Sequence, residues 1–256
     1  MSAELFLEIG TEEIPAGFLP VAMADLERLL RNELENARVR FSTVRTFATP
    51  RRIAIAVADV ARQQQRQELT VAGPSVKVAF DADGNPTKAA IGFARANGVE
   101  VSQLSTMETD KGAYIFVSKV EEGRPTADLL PEMLPRLIAG IPFKKSMRWK
   151  DLDIRFARPI HWLVALYDDF VVPFRYGNVE SGNLSHGHRF MAPSPFPVRS
   201  LANGLEEAER HFVIPDPQKR QVIIAREIER AAHAAGGQVN PDEELLEEVA
   251  FLVEDP

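Results

Sequence analysis

The chain has 256 residues, 45% of them hydrophobic and 26% charged, with a formal net charge of -7, which is the size and content of a soluble globular protein of one large domain or two ordinary ones. It has no cysteine, which excludes disulfides and thiolate metal sites and fits a reducing cytoplasm. No stretch approaches the run of about 18 apolar residues that a membrane helix needs, and the first residues lack the basic and apolar regions of a secretory signal, so a cytoplasmic location without a membrane partner is expected.

Residues 4–9 read as a short buried strand closed by Gly10. After the loop Gly10–Gly17, Leu19, Ala22, Met23, Leu26, Leu29, Leu30 and Leu34 recur at helical spacing and predict an amphipathic helix to about residue 37. Phe41, Thr43, Arg45 and Phe47 alternate on one strand, and Ile53, Ile55 and Val57 on another, with Thr49-Pro50-Arg51 as the turn. Residues 69–80 are β-prone and end at the turn 81–86; Thr87 then caps a short helix that stops at Gly98. Tyr114–Val120 is a strand. Thr126–Ala139 is a helix that Pro131 and Pro135 should kink or shorten. Strands follow at 160–167 and 171–176. Asp216-Pro217 starts a further helix, and Asn240 or Asp242 the last one, whose Leu245, Leu246, Val249 and Leu252 form an apolar stripe near the end of the chain. With nothing after it to cover that stripe, the segment from about 238 is expected to fray or to pair with another copy when the chain is made alone.

Charge is segregated along the chain. Residues 38–66 carry seven arginines and one acid, whereas 204–256 carry thirteen acids and five bases. A second basic window, 141–162, holds Lys144, Lys145, Arg148, Lys150, Arg155 and Arg158 against Asp151 and Asp153. Phosphate responds to the local field, so such windows can bind nucleic acid on an acidic chain; they also fit ordinary solvated faces. Phe143, Trp149 and Phe156 interleave the second window, and either stack on bases or simply fill the core between flanking cations.

Catalytic signals are weak. The chain has no Gly-rich loop of the P-loop or dinucleotide type and no Gly-x-Ser-x-Gly elbow. His186 and His188, with His161 or His211, are the only histidine grouping to weigh as metal ligands, but no acid sits at a ligand spacing and Arg189 opposes a cation, so no metal site is expected. Glu12 and Glu13 precede a helix and suit its dipole better than acid–base work. No catalytic residue is assigned.

Six strings then carry a resemblance. Leu7-Glu8-Ile9-Gly10-Thr11-Glu12-Glu13-Ile14-Pro15, Ala48-Thr49-Pro50-Arg51-Arg52-Ile53-Ala54, and Gly73-Pro74 with Ala79-Phe80-Asp81 through Gly92-Phe93-Ala94 come first. Lys145-x-Met147-Arg148-Trp149, Arg155-Phe156-x-Arg158-Pro159-Ile160-x-Trp162, and Gly187-His188-Arg189-Phe190 complete them. In this order they resemble the β subunit of the bacterial glycyl-tRNA synthetase. The resemblance implies a heterotetramer of two α and two β chains joining glycine to its tRNA. ATP and Mg²⁺ are used on the α side, the β chain binds tRNA, and this chain needs no cofactor of its own. Its implied partners are the α subunit and glycine tRNA, with no DNA.

The expectation is therefore an α+β body over residues 1–200, with a break near 66–70 or 140, and the start of an incomplete helical region at 201–256. The residues expected to meet tRNA are Arg51, Arg52, Lys144, Lys145, Arg148 and Arg158. A free-standing RNA-binding or tRNA quality-control module, and an interaction protein with acidic docking helices, are the alternatives.

Overall fold

The computed structural model describes residues 2–110, 112–149 and 154–256. It is an α+β protein that divides by contacts into two units, Met1–Gln64 with Arg124–Pro256, and Gln65–Gly123.

The first unit opens with β1 (Ser2–Thr11), α1 (Leu19–Asn36), β2 (Val44–Thr49) and β3 (Arg52–Ala61). The second holds β4 (Gln67–Ser75), α2 (Val76–Ala79), α3 (Lys88–Ala96), β5 (Ser105–Thr109) and β6 (Gly112–Glu121). The first unit resumes with α4 (Thr126–Gly140), β7 (Met147–Arg148), β8 (Arg155–Phe156), β9 (Ile160–Tyr167), β10 (Phe170–Val171), β11 (Arg175–Tyr176) and β12 (Val179–Gly182). It closes with β13 (Leu184–His186), β14 (Pro195–Pro197), α5 (Leu201–Arg210), α6 (Pro217–Ala234) and α7 (Glu243–Ala250).

The main sheet of the first unit runs β11-β12-β9-β1-β3-β2, with β10 on β9. β1 lies at its centre, antiparallel to both β3 and β9. Both faces of β1 are covered, which is why residues 5–11 are buried without interruption. Leu5, Leu7 and Ile9 join Ile53, Ile55 and Val57 in a core filled by the leucines of α1 and by Leu130, Leu134 and Ile138 of α4. Each such leucine buried contributes about 1.5–3 kcal/mol. The opposite face, with Phe6, Phe47, Ala54, Ala56, Trp162 and Val164, packs on Phe196, Val198, Ala208 and Val213.

Several elements differ from expectation. α4 runs unbroken through Pro131 and Pro135. The two prolines share one side at a spacing of four, while Leu130, Met133, Leu134, Leu137 and Ile138 bury the other, so packing holds the helix despite the missing donors. β5 lies where no element was expected, and 171–176 is two short strands with a break between them. Residues 201–256 belong to the first unit rather than to a body of their own, because their end is buried in it: Phe251 and Glu254 are 4% and 6% exposed.

The second unit is a sheet in the order β4-β6-β5 with α2 and α3. Thr87 caps α3, its hydroxyl accepting from the Ala89 amide at 3.2 Å, and Gly98 follows in the left-handed region at φ 69°. Gly73 lies against the Phe93 ring, where an added Cβ would come within 2.8 Å, so a larger residue there would displace the ring.

Candidate nucleic-acid interface

The antiparallel register of β1 with β3 and β9 brings the end of β1 beside the starts of the other two. Gly10 faces both Arg52 and Trp162 across the ladder, and Thr11 faces Ile160. The loop after β1 is tied down by the Thr11 amide on the Arg51 carbonyl (2.8 Å), Glu12 on Pro159 (3.1 Å) and Ile14 on Pro50 (2.7 Å). Strings far apart in sequence, 7–15, 48–54 and 155–162, thus meet at one end of the sheet. Glycine is required at position 10 because a Cβ there would fall 1.8 Å from the Trp162 ring.

Behind this end lies a buried polar network. The Trp162 indole N–H and the Ser185 hydroxyl donate to Glu8 Oε1 at 2.6 and 2.5 Å. Arg52, with 0% side-chain exposure, pairs with Glu8 at 3.6 Å and Glu254 at 3.4 Å and donates to the His186 carbonyl at 2.8 Å. Thr49 donates to Glu254 at 2.6 Å. Arg220 is also fully buried; it donates to the carbonyls of Ala250 and Ala48, each at 2.7 Å, and to that of Ile214. Burial lowers its pKa to about 10, so it stays charged at neutral pH. Arg52 is therefore unavailable to a phosphate. Its place among the expected tRNA contacts is corrected, since two carboxylates already hold its charge inside the protein.

The other five expected contacts separate. Arg51 is half-buried with its guanidinium 5.6 Å from the centre of the Trp162 ring, and burial lowers its pKa against the opposing charge of Glu254. Lys144 and Lys145 are exposed on the segment between α4 and β7. Arg148 and Arg158 line one cleft of about 750 Å³ with Trp149, Phe156, Pro159, His161, Asn178 and Glu180. Arg158 Nε donates to the Glu13 carbonyl at 3.0 Å, which fixes its side chain at the rim. Of the aromatic trio, Phe156 is core and Phe143 meets it edge-on at 4.8 Å; Phe156 and the half-buried Trp149 both line the cleft.

A histidine and an arginine beside Glu12 were not among the contacts expected from the sequence. His161 Nε2 lies 3.1 Å from Glu12, and Arg189 reaches Glu12 at 3.3 Å and Glu13 at 3.9 Å. The two glutamates serve as counter-ions for this end of the sheet. The histidines disperse: His186 lies against Trp162 in a tilted arrangement and His211 stacks on Phe196, both at 4.6 Å. Among the described residues no group of three His, Cys, Asp or Glu is placed to hold a metal ion. Burial, and then Arg52 and Arg51, hold the His186 pKa below its ordinary value.

The cleft gathers arginines and an aromatic face where otherwise distant strings converge, and comparison with known proteins places the chain among subunits of an aminoacyl-tRNA synthetase. The family model described as glycyl-tRNA synthetase beta subunit matches residues 5–256. The glycine–tRNA ligase beta subunit of Syntrophotalea carbinolica is 72% identical over all 256 residues, those of Geobacter sulfurreducens and Trichlorobacter lovleyi 62% and 60%. In each case the whole chain aligns with 37% of the relative's length. The chain belongs to the glycyl-tRNA synthetase β-subunit family.

Proposed function

We propose that this chain is the tRNA-binding N-terminal part of the β subunit of a cytoplasmic heterotetrameric glycine–tRNA ligase, with glycine activation, ATP and Mg²⁺ on the α subunit. The observation that carries the reading is the cleft itself, which Arg148 and Arg158 line together with Trp149. Cations following a phosphate backbone beside an aromatic face are the means by which proteins hold RNA irrespective of sequence. Among the described residues no helix is long and apolar enough to cross a membrane.

The test uses the α subunit assembled with the full-length β chain. Arg148→Gln should lower the slope of log affinity against log salt by about 0.7–0.9 and weaken all glycine tRNAs alike. Arg158→Gln should do the same, with its melting temperature measured alongside because it also holds the Glu13 carbonyl. Unchanged affinity and slope in both would remove the cleft from the tRNA path.

A further inference from the structure

Phe190 is 82% exposed, the most exposed large apolar side chain among the described residues. Isolated surface apolar residues are ordinary, but the backbone beneath this one is fixed. The His188 amide donates to the His211 carbonyl at 2.9 Å, and the Ala192 amide returns to the His188 carbonyl at 3.0 Å. His188 Nδ1 accepts from the amides of Phe190 and Met191 at 3.3 and 3.2 Å, which also fixes it as the unprotonated ring nitrogen. Gly187 lets the loop close, since a Cβ there would lie 2.2 Å from the Ala192 carbonyl oxygen. Next in sequence to Phe190, Arg189 is anchored on Glu12 and Glu13. The result is an aromatic side chain held out into water on a loop of fixed shape.

The loop adjoins the cleft. Arg189 meets Glu12, Glu12 meets His161, and His161 lines the cleft with Arg148 and Arg158. Met191 and Phe212, 48% and 45% exposed, widen the apolar surface, and a protein partner would also use that. Arg189 is shared with Glu12 and Glu13, so the charges that favour RNA are those of Arg148 and Arg158 in the cleft this loop adjoins, beside which an aromatic face suits an unpaired base better than an apolar pocket. We infer that Phe190 is a stacking platform for an unpaired nucleotide of the RNA whose phosphates follow the cleft. This rests on the tRNA reading above and adds that the RNA presents a single-stranded nucleotide at this end of the sheet.

The experiment uses α subunit assembled with full-length β chain and two RNA minihelices of the glycine acceptor arm, one with its single-stranded 3′ tail and one blunt. Phe190→Ala should weaken the tailed RNA about 5- to 150-fold and leave the blunt one unchanged, the range for losing one base–aromatic stack. Phe190→Tyr should restore binding, and Phe190→Leu should not. Equal loss on both RNAs, no loss on either, or full rescue by Leu would overturn the inference; rescue by Leu together with weaker subunit assembly would identify a protein-docking anchor instead. Arg148→Gln separates the two readings, because it should weaken tailed and blunt RNA alike. If it changes neither while Phe190→Ala behaves as expected, the cleft reading fails and the stacking site stands.

Discussion

Removing the Arg52 side chain deprives the buried carboxylates of Glu8 and Glu254 of the cation they share, leaving the Trp162, Ser185 and Thr49 donors and, for Glu254, the charges of Arg51 and Arg220. Breaking a buried pair from one side costs about 3–5 kcal/mol, much more than an exposed cation is worth. Arg52→Ala should therefore lower the melting temperature by roughly 6–20 °C, while exposed Lys144→Gln should stay within about 0.5 kcal/mol; equal, small effects would show the network to be dispensable. His186 adds a pH dependence at the same place. Its folded pKa lies below the ordinary 6.5, so the unfolded chain binds the proton more readily. Stability contributed by neutral His186 is full above that value and falls as pH drops through it toward the folded pKa. His186→Asn should flatten the slope of stability against pH between about 7 and 5, and a slope unaltered by the substitution would assign it to other groups.

At the scale of elements, α7 reverses what its apolar stripe predicts. Leu245 and Leu252 are exposed, 53% and 59%, yet Phe251 just beyond the helix is in the core, and the Ile214 amide donates to the Glu254 carbonyl at 2.8 Å. Phe251→Ala should cost about 3–5 kcal/mol, whereas Leu252→Gln should be nearly neutral. Hydrogen exchange should find the Ile214 amide slow in the parent and fast in Phe251→Ala; a fast amide in the parent would restore the picture of a frayed end. The stripe misleads because periodicity reports which residues are apolar, whereas burial here depends on Phe251 reaching a core whose other members lie in the first 180 residues. Other elements were readable. The i, i+4 leucines of α1 and the period-2 isoleucines of β3 sit in the core because one amphipathic face on one neighbour leaves no other place for them. Of the site, the arginine of the 48–54 string that lies inside could be guessed only from parity: Arg52 shares a strand face with Ala54 and Ala56, and Arg51 occupies the turn. Glu254, which completes its pairing 202 residues away, carries no local signal. Nor does the exposure of Phe190, since a phenylalanine in a glycine-containing turn reads the same whether it points inward or out.

For the whole molecule, the net charge of -7 argues against an RNA partner only if charge is averaged. Ionic screening at physiological salt acts over about 8 Å, so an RNA in the cleft responds to the charges that line it, Arg148, Arg158 and Glu180, rather than to the net charge of the chain. On that local logic the cleft is proposed to bind RNA, with amino-acid activation left to the α subunit. Adenylate formation requires an in-line attack on the α-phosphate of ATP, with cations fixed around the leaving pyrophosphate. The chain carries no glycine-rich phosphate loop, and Arg158 of its cleft is committed in part to the Glu13 carbonyl. On the proposed division of labour, the 256-residue chain purified without α subunit should show no glycine-dependent ATP–pyrophosphate exchange, while still binding glycine tRNA in a salt-sensitive manner. Restoring exchange should require α subunit and should not depend on Arg148. Exchange above background from the isolated chain would place activation chemistry here and overturn the division, and exchange in the assembled enzyme that collapses with Arg148→Gln would make the cleft part of the activating site.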